Sequence, residues 1–198
     1  MATATAVDLA RIVSLLSSMY LVQPTREAIE GWRIALAGDL PDFAAPLKQA
    51  VDAAAGLASE GKIEVLQTEY AGLLIGPAAL PCPPWESIYT SPNRQMMQEA
   101  HDAVAALYAE AGLAVQQTSV LPDHIGAELH FLSLLLERVE HGTEQEQKTA
   151  LDLADRLLDD HVNRWVGPFT QDLEQAAHAT LYITLARVTR NMVSFLQE

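Results

Sequence analysis

Two acids and an imidazole fall together in Pro122-Asp123-His124-Ile125-Gly126-Ala127-Glu128-Leu129, where residue type and spacing come nearest to a site that could do chemistry. Residues four apart share a helix face, so His124 and Glu128 stand together with Asp123 close by. Metal binding is the first chemistry to weigh. A ferritin-like di-metal centre needs Glu-x-x-His on two helices, yet no acid lies three residues before any of the six histidines. The zincin spacing His-Glu-x-x-His is missing as well. The plainer reading makes Asp123 a first-turn carboxylate favoured by the helix dipole and His124 a polar anchor for a ligand's backbone or charge. A protonated His124 there would be disfavoured unless Asp123 or Glu128 compensated it.

Nucleophilic and phosphate chemistry find less support. Cys82 lies between prolines, and nothing nearby lowers its thiol pKa. One cysteine builds neither a disulfide framework nor an iron–sulfur cluster, and it fits a reducing compartment. No GxxxxGK[ST] or GxGxxG loop is present to cradle phosphate. The expectation is a protein without catalytic residues and without a cofactor.

A second unusual stretch runs from Gly76 to Pro92, GPAALPCPPWESIYTSP. Its prolines lack amide donors, which argues against a helix or a central strand. A free linker would be polar, whereas this one carries Leu80, Trp85, Ile88 and Tyr89. It reads as a stiffened apolar loop packed against the rest of the chain. Each of these large side chains either plugs the core or lines the rim of a groove that takes an amphipathic segment.

The elements that must position these segments read as helices. Ile12, Val13, Leu16, Met19 and Tyr20 form a first apolar stripe that stops before Pro24. Thr25 caps a second, through Ile29 and Trp32 to Gly38. A third covers about Phe43 to Leu57, and Ile63, Leu66, Tyr70, Leu73 and Leu74 form a fourth that ends at Gly76. Ser91 and Pro92 read as the start of a helix to Ala111, stopped by Gly112. Pro122 opens another that stops at Gly142, Thr143 and Glu146 have capping-box spacing, and a last apolar helix follows Trp165 and Phe169. Leu113 to Val120 is taken as a connection. The fold class is all-α, with about eight to ten helices in one compact domain over residues 1–198.

Composition narrows the function classes. Of the 198 residues 49% are hydrophobic, enough for a sizeable core. The net charge of −14 argues against nucleic acid and would attract a basic partner. Met1 to Asp8 has no basic segment ahead of an apolar run, and no apolar run approaches the ~20 residues of a spanning helix, so a soluble, cytoplasmic protein is expected.

Tyr70-Ala-Gly-Leu-Leu-Ile-Gly-Pro followed by Pro83-Pro84-Trp85-Glu86-Ser87-Ile88-Tyr89 resembles a signature of the TorD/DmsD family of redox-enzyme maturation chaperones. The segment Pro122 to Leu129 is similar to a second signature of that family, and His161, Arg164, Trp165 and Phe169 to a third, shorter one. The resemblance implies larger and smaller helical parts joined at a Pro-rich hinge. It also implies a chaperone that binds the twin-arginine signal peptide and apoprotein of a molybdenum-cofactor oxidoreductase subunit, assists cofactor insertion and delays export. Carried over by position, the peptide-binding candidates are Tyr70, Leu73, Trp85, Ser87, Tyr89, Pro122, Asp123, His124, Glu128 and Leu129. Leu74 replaces the family's usual aromatic residue, and Leu121 stands where an acid often precedes the proline.

Asp123 and Glu128 beside the Leu129–Leu136 face fit what an arginine pair ahead of an apolar stretch requires. Other readings stay open: a nitrate-reductase-type chaperone whose client is not exported, a helical metal- or nucleotide-dependent enzyme, and a scaffold without signal-peptide preference. The oligomeric state is open between a monomer and a domain-swapped dimer.

Overall fold

Thr25 accepts the Ala28 amide on its side-chain oxygen at 3.1 Å and so starts a helix where the apolar stripe predicts one. The computed structural model describes residues 6–75, 80–113 and 120–197. The first half contains α1 (Ala6–Leu21), α2 (Arg26–Ala35), α3 (Ala45–Ser59) and α4 (Ile63–Tyr70), with a π-helical turn over Ala71–Ile75. After the Pro-rich stretch come α5 (Glu86–Thr90), α6 (Glu99–Glu110), α7 (Ile125–His141) and α8 (Glu144–Leu157). A second π-helical turn, Leu158–Val162, leads into α9 (Asn163–Ala176), and α10 (Thr180–Phe195) closes the chain. The fold is all-α, and the lone strand-like pairing among the described residues is a single bridge between Trp85 and His124.

Packing follows the apolar stripes. α1 lies along α7, α8 packs on α7 as well, and α10 packs on α9 and α3. Ile12, Leu16, Leu129, Leu132, Trp165, Phe169, Leu185 and Met192 are fully or almost fully buried in one cluster. Truncating a side chain such as Trp165 there costs about 3–5 kcal/mol. Gly126 sets the approach of α1 to α7: a Cβ on it would lie 2.5 Å from Cγ of Leu21. Ser17 on α1 completes the contact by donating to the Gly126 carbonyl at 2.6 Å.

Several boundaries differ from the sequence reading. The Pro-rich stretch does contain a helix, α5, because the prolines before it end at Pro84 and leave Glu86 to Thr90 with all their amide donors. The helix expected to start at Pro92 starts at Glu99, and residues 91–98 form a surface loop in which Arg94 and Met97 have φ of 49° and 57°. α7 begins at Ile125 with His124 as its cap, so Pro122 and Asp123 lie in the turn before it. The last apolar segment is two helices, split around Ala177. Gly38 and Gly112 end their helices with φ of 96° and 68°, conformations that suit glycine. The expected stop at Gly76 and most of the Leu113–Val120 connection lie outside the described residues.

The Pro-rich stretch is packed inward where it is described. Cys82 is fully buried and its thiol donates to the Leu73 carbonyl at 3.3 Å. Among the described residues no helix is long and apolar enough to cross a membrane.

Candidate functional site

The two signature segments meet through their backbones. The Glu86 amide donates to the Asp123 carbonyl and the Ile125 amide to the Pro84 carbonyl, both at 2.9 Å, on either side of the Trp85–His124 bridge. Pro84 serves here as an acceptor only, so its missing N–H costs no bond. The Trp85 and His124 rings stand edge to face with centroids 5.8 Å apart.

Side chains tighten this junction. Asp123 is fully buried, and its Oδ2 accepts from the Ser87 hydroxyl at 2.5 Å and from the Ser87 amide at 3.2 Å. The same hydroxyl oxygen accepts from the Gln98 amide at 3.3 Å, which ties the surface loop 91–98 to the junction. His124 caps α7: its Nδ1 accepts from the Gly126 amide at 3.0 Å, so the neutral ring carries its proton on Nε2. Burial pushes the His124 pKa down to about 4. The neutral form suits a helix N-terminus, where a cation would be repelled.

A second layer of buried acids lies behind the first. Oε2 of Glu86 is 2.8 Å from Nδ1 of His161, and Nε1 of Trp165 donates to Oε2 of Glu128 at 3.0 Å. Burial, then the charge of Glu86, then that of Asp123 hold the Glu128 pKa well above its ordinary 4.5. Its surroundings thus favour the neutral form, and no donor reaches its Oε1 among the described residues. The pairs join α5, α7, the second π-helical turn and α9 into one polar knot inside an apolar core.

Most of the carried-over residues are interior. Tyr70, Leu73, Ser87, Pro122, Asp123, His124, Glu128 and Leu129 are buried. Tyr70 donates its hydroxyl to the Tyr20 carbonyl at 2.8 Å, and Leu129 fills the core. Asp123 and Glu128, the acids the sequence offers to a basic peptide, are each 0% exposed and bonded within the chain. Trp85 and Tyr89 are the two that keep partial exposure. A cleft of about 210 Å³ opens between Glu86, Thr90, Gln98, Glu99, His161 and Arg164. Among the described residues no three His, Cys, Asp or Glu side chains are grouped to hold a metal ion.

Sequence reasoning did not propose Glu86 or Asp172 as site residues. Glu86 bonds a histidine 75 positions away, and Asp172 accepts from the Tyr89 hydroxyl at 3.1 Å across 83 positions. No helical or strand period links residues so far apart, so only the folded chain reveals either pair.

The family described as nitrate reductase delta subunit matches this chain over residues 37–171. The chain belongs to that family. Its curated relatives include a probable Tat proofreading chaperone DmsD from Haemophilus influenzae, 28% identical over 134 residues, covering 67% of this chain and 61% of the relative. The Tat proofreading chaperone DmsD of Salmonella typhi is 34% identical over 122 residues, covering 60% of this chain and 59% of its own. The matched region thus spans about three-fifths of these relatives' length. A candidate redox enzyme maturation protein from Archaeoglobus fulgidus has the same fold, with a TM-score of 0.60, 22% identity, and coverage of 96% of this chain and 94% of the other. Within the delta-subunit family these relatives place the chain with the TorD/DmsD group, whose named members are chaperones and not catalysts.

Proposed function

We propose that this protein is a cytoplasmic maturation chaperone that binds the twin-arginine signal peptide and the apo-form of a molybdenum-cofactor oxidoreductase subunit, assists cofactor insertion and delays export. The observation that carries the reading is the junction itself. Two signature segments are locked together by the Trp85–His124 bridge, Trp85 and Tyr89 keep partial exposure, and α5 also borders a cleft walled by Glu86, Glu99, His161 and Arg164. Partly exposed aromatic side chains and the exposed acid Glu99 suit an arginine pair followed by apolar residues. The buried acids Asp123 and Glu128 hold the signature segments in shape, and the net charge of −14 draws a basic segment from a distance.

The test is binding of a synthetic peptide that carries Arg-Arg ahead of an apolar stretch, followed by isothermal titration. Trp85→Phe and Glu99→Gln are each expected to weaken binding by roughly threefold to tenfold, within the range of single rim contacts. Replacing the arginine pair by citrulline should abolish it. Equal affinity for the arginine and citrulline peptides would sink the reading. A variant of this reading is a nitrate-reductase-type assembly chaperone, in line with the family description, whose client is not exported. Binding of a leaderless apo-subunit, with no gain from its leader, would select that variant.

A further inference from the structure

Tyr89 closes α5 with a ring that is packed on Trp165 and Phe169, at centroid distances of 5.6 and 6.2 Å. Its hydroxyl donates to Oδ2 of Asp172 on α9 at 3.1 Å. Burial and the Asp172 charge both push the phenol pKa up, so the hydroxyl remains a neutral donor. Over the ring stands the guanidinium of Arg94, with Cζ 5.4 Å from the centroid, inside the usual cation–π range.

The three groups are incompletely matched. Neither Arg94 nor Asp172 forms an ion pair among the described residues, although ten such pairs occur elsewhere. Asp172 has a neutral hydroxyl where a carboxylate could take a two-pronged guanidinium. Arg94 reaches the ring from a backbone in the left-handed region, which costs an ordinary residue about 1 kcal/mol or more. Residues 92–98 of the loop that carries it are all exposed. An arginine arriving from outside would meet the same aromatic face without that backbone cost, and by sliding toward the hydroxyl it would also reach Asp172.

We propose that the Tyr89 ring and the Asp172 carboxylate form a seat for one guanidinium of an arginine-bearing peptide, and that Arg94 of the chain holds this seat while it is empty. The proposal rests on the peptide-binding reading and adds to it the residue that recognises arginine and the internal competitor that must leave. Lysine fits less well, because a compact ammonium cannot stack on the ring and fork onto a carboxylate at once. The surface loop then acts as a latch: it covers the ring when unoccupied and swings away when a better guanidinium arrives.

Two titrations test it. With the Arg-Arg peptide, Arg94→Ala and Arg94→Gln are each expected to tighten binding about twofold to fivefold, the worth of one exposed cation–π contact. Asp172→Asn is expected to weaken it about fivefold or more. With methylguanidinium, followed by the NMR signals of the Tyr89 ring, the Arg94 variants should saturate at lower concentration than the unaltered chain. If the peptide binds but neither Arg94 variant changes its affinity, the seat is wrong and the chaperone reading stands. If the peptide does not bind while methylguanidinium still shifts Tyr89 in the variants, the seat stands and the peptide reading falls. If methylguanidinium leaves Tyr89 unmoved in the Arg94 variants, the seat is overturned whatever the peptide does.

Discussion

The indole N–H of Trp165 donates to Oε2 of Glu128 across 3.0 Å, and both residues are completely shielded from solvent. The contact joins α9 to α7 at the level of the signature junction. A neutral Glu128 completes it at low cost, whereas an ionised one would place a charge beside Glu86 and Asp123.

Glu128→Gln therefore keeps the shape and the acceptor while removing the titration. The folded pKa of Glu128 lies above its unfolded value, so its contribution is fully present below the ordinary 4.5 and is lost as pH rises toward the folded value. Thermal melts should find the variant near the unaltered protein at about pH 5 and more stable than it at about pH 8. Glu128→Ala leaves the Trp165 N–H unpaired beside a void and should cost about 2–4 kcal/mol by urea denaturation. A Gln variant that melts early at every pH would show that the carboxylate is needed as a charge.

His124 shifts in the opposite sense. Its folded pKa of about 4 lies below the ordinary 6.5, so its contribution is present above 6.5 and is lost as pH falls toward 4. The full loss amounts to about 3 kcal/mol. Asparagine also caps helices, so His124→Asn should flatten this acid limb while holding stability near neutrality; His124→Ala should cost about 1 kcal/mol there. Urea midpoints across the acid range read both effects. An unchanged acid limb in the Asn variant would place its origin elsewhere.

The close approach of α1 to α7 is open to a double-mutant test. Gly126→Ala forces its Cβ onto Leu21 and is expected to destabilise by about 1–3 kcal/mol. Adding Leu21→Ala should recover part of that loss despite being destabilising alone. Strict additivity of the two would mean that the helices adjust elsewhere.

Ser87 connects two features with one hydroxyl. Ser87→Ala leaves Asp123 with the Ser87 amide alone and frees the Gln98 amide. The expected cost is about 1–3 kcal/mol, with faster hydrogen exchange across residues 91–98. Exchange confined to α7 would contradict the link to the loop.

The helical architecture was readable because helices announce themselves locally. Thr25, the Thr143–Glu146 box and the spacing of Ile29 and Trp32 each carry their meaning within four residues. Boundaries failed where chemistry overrode a familiar sign. Pro92 looked like a helix start, yet the chain spends six further positions in a loop whose Arg94 reaches back to Tyr89. At the site, the segments themselves were visible, but the orientation of their side chains was not. Asp123 and His124 turned out to point at Ser87 and Gly126, and the acids nearest the cleft, Glu86 and Glu99, gave no local sign of it. Contacts across seventy or more positions leave no period to read.

Cys82 is the only sulfhydryl in the chain, wholly covered, hydrogen-bonded to Leu73, and raised to about 12 by burial and by Asp172. Almost none of it is thiolate at neutral pH, and an oxidant cannot reach it without opening the packing of Leu73. The molecule is therefore chemically silent toward sulfur exchange. It cannot become cross-linked to a partner rich in cysteines, nor to its own copies, while it stays folded. Storage without reductant should give no disulfide-linked dimer on a non-reducing gel.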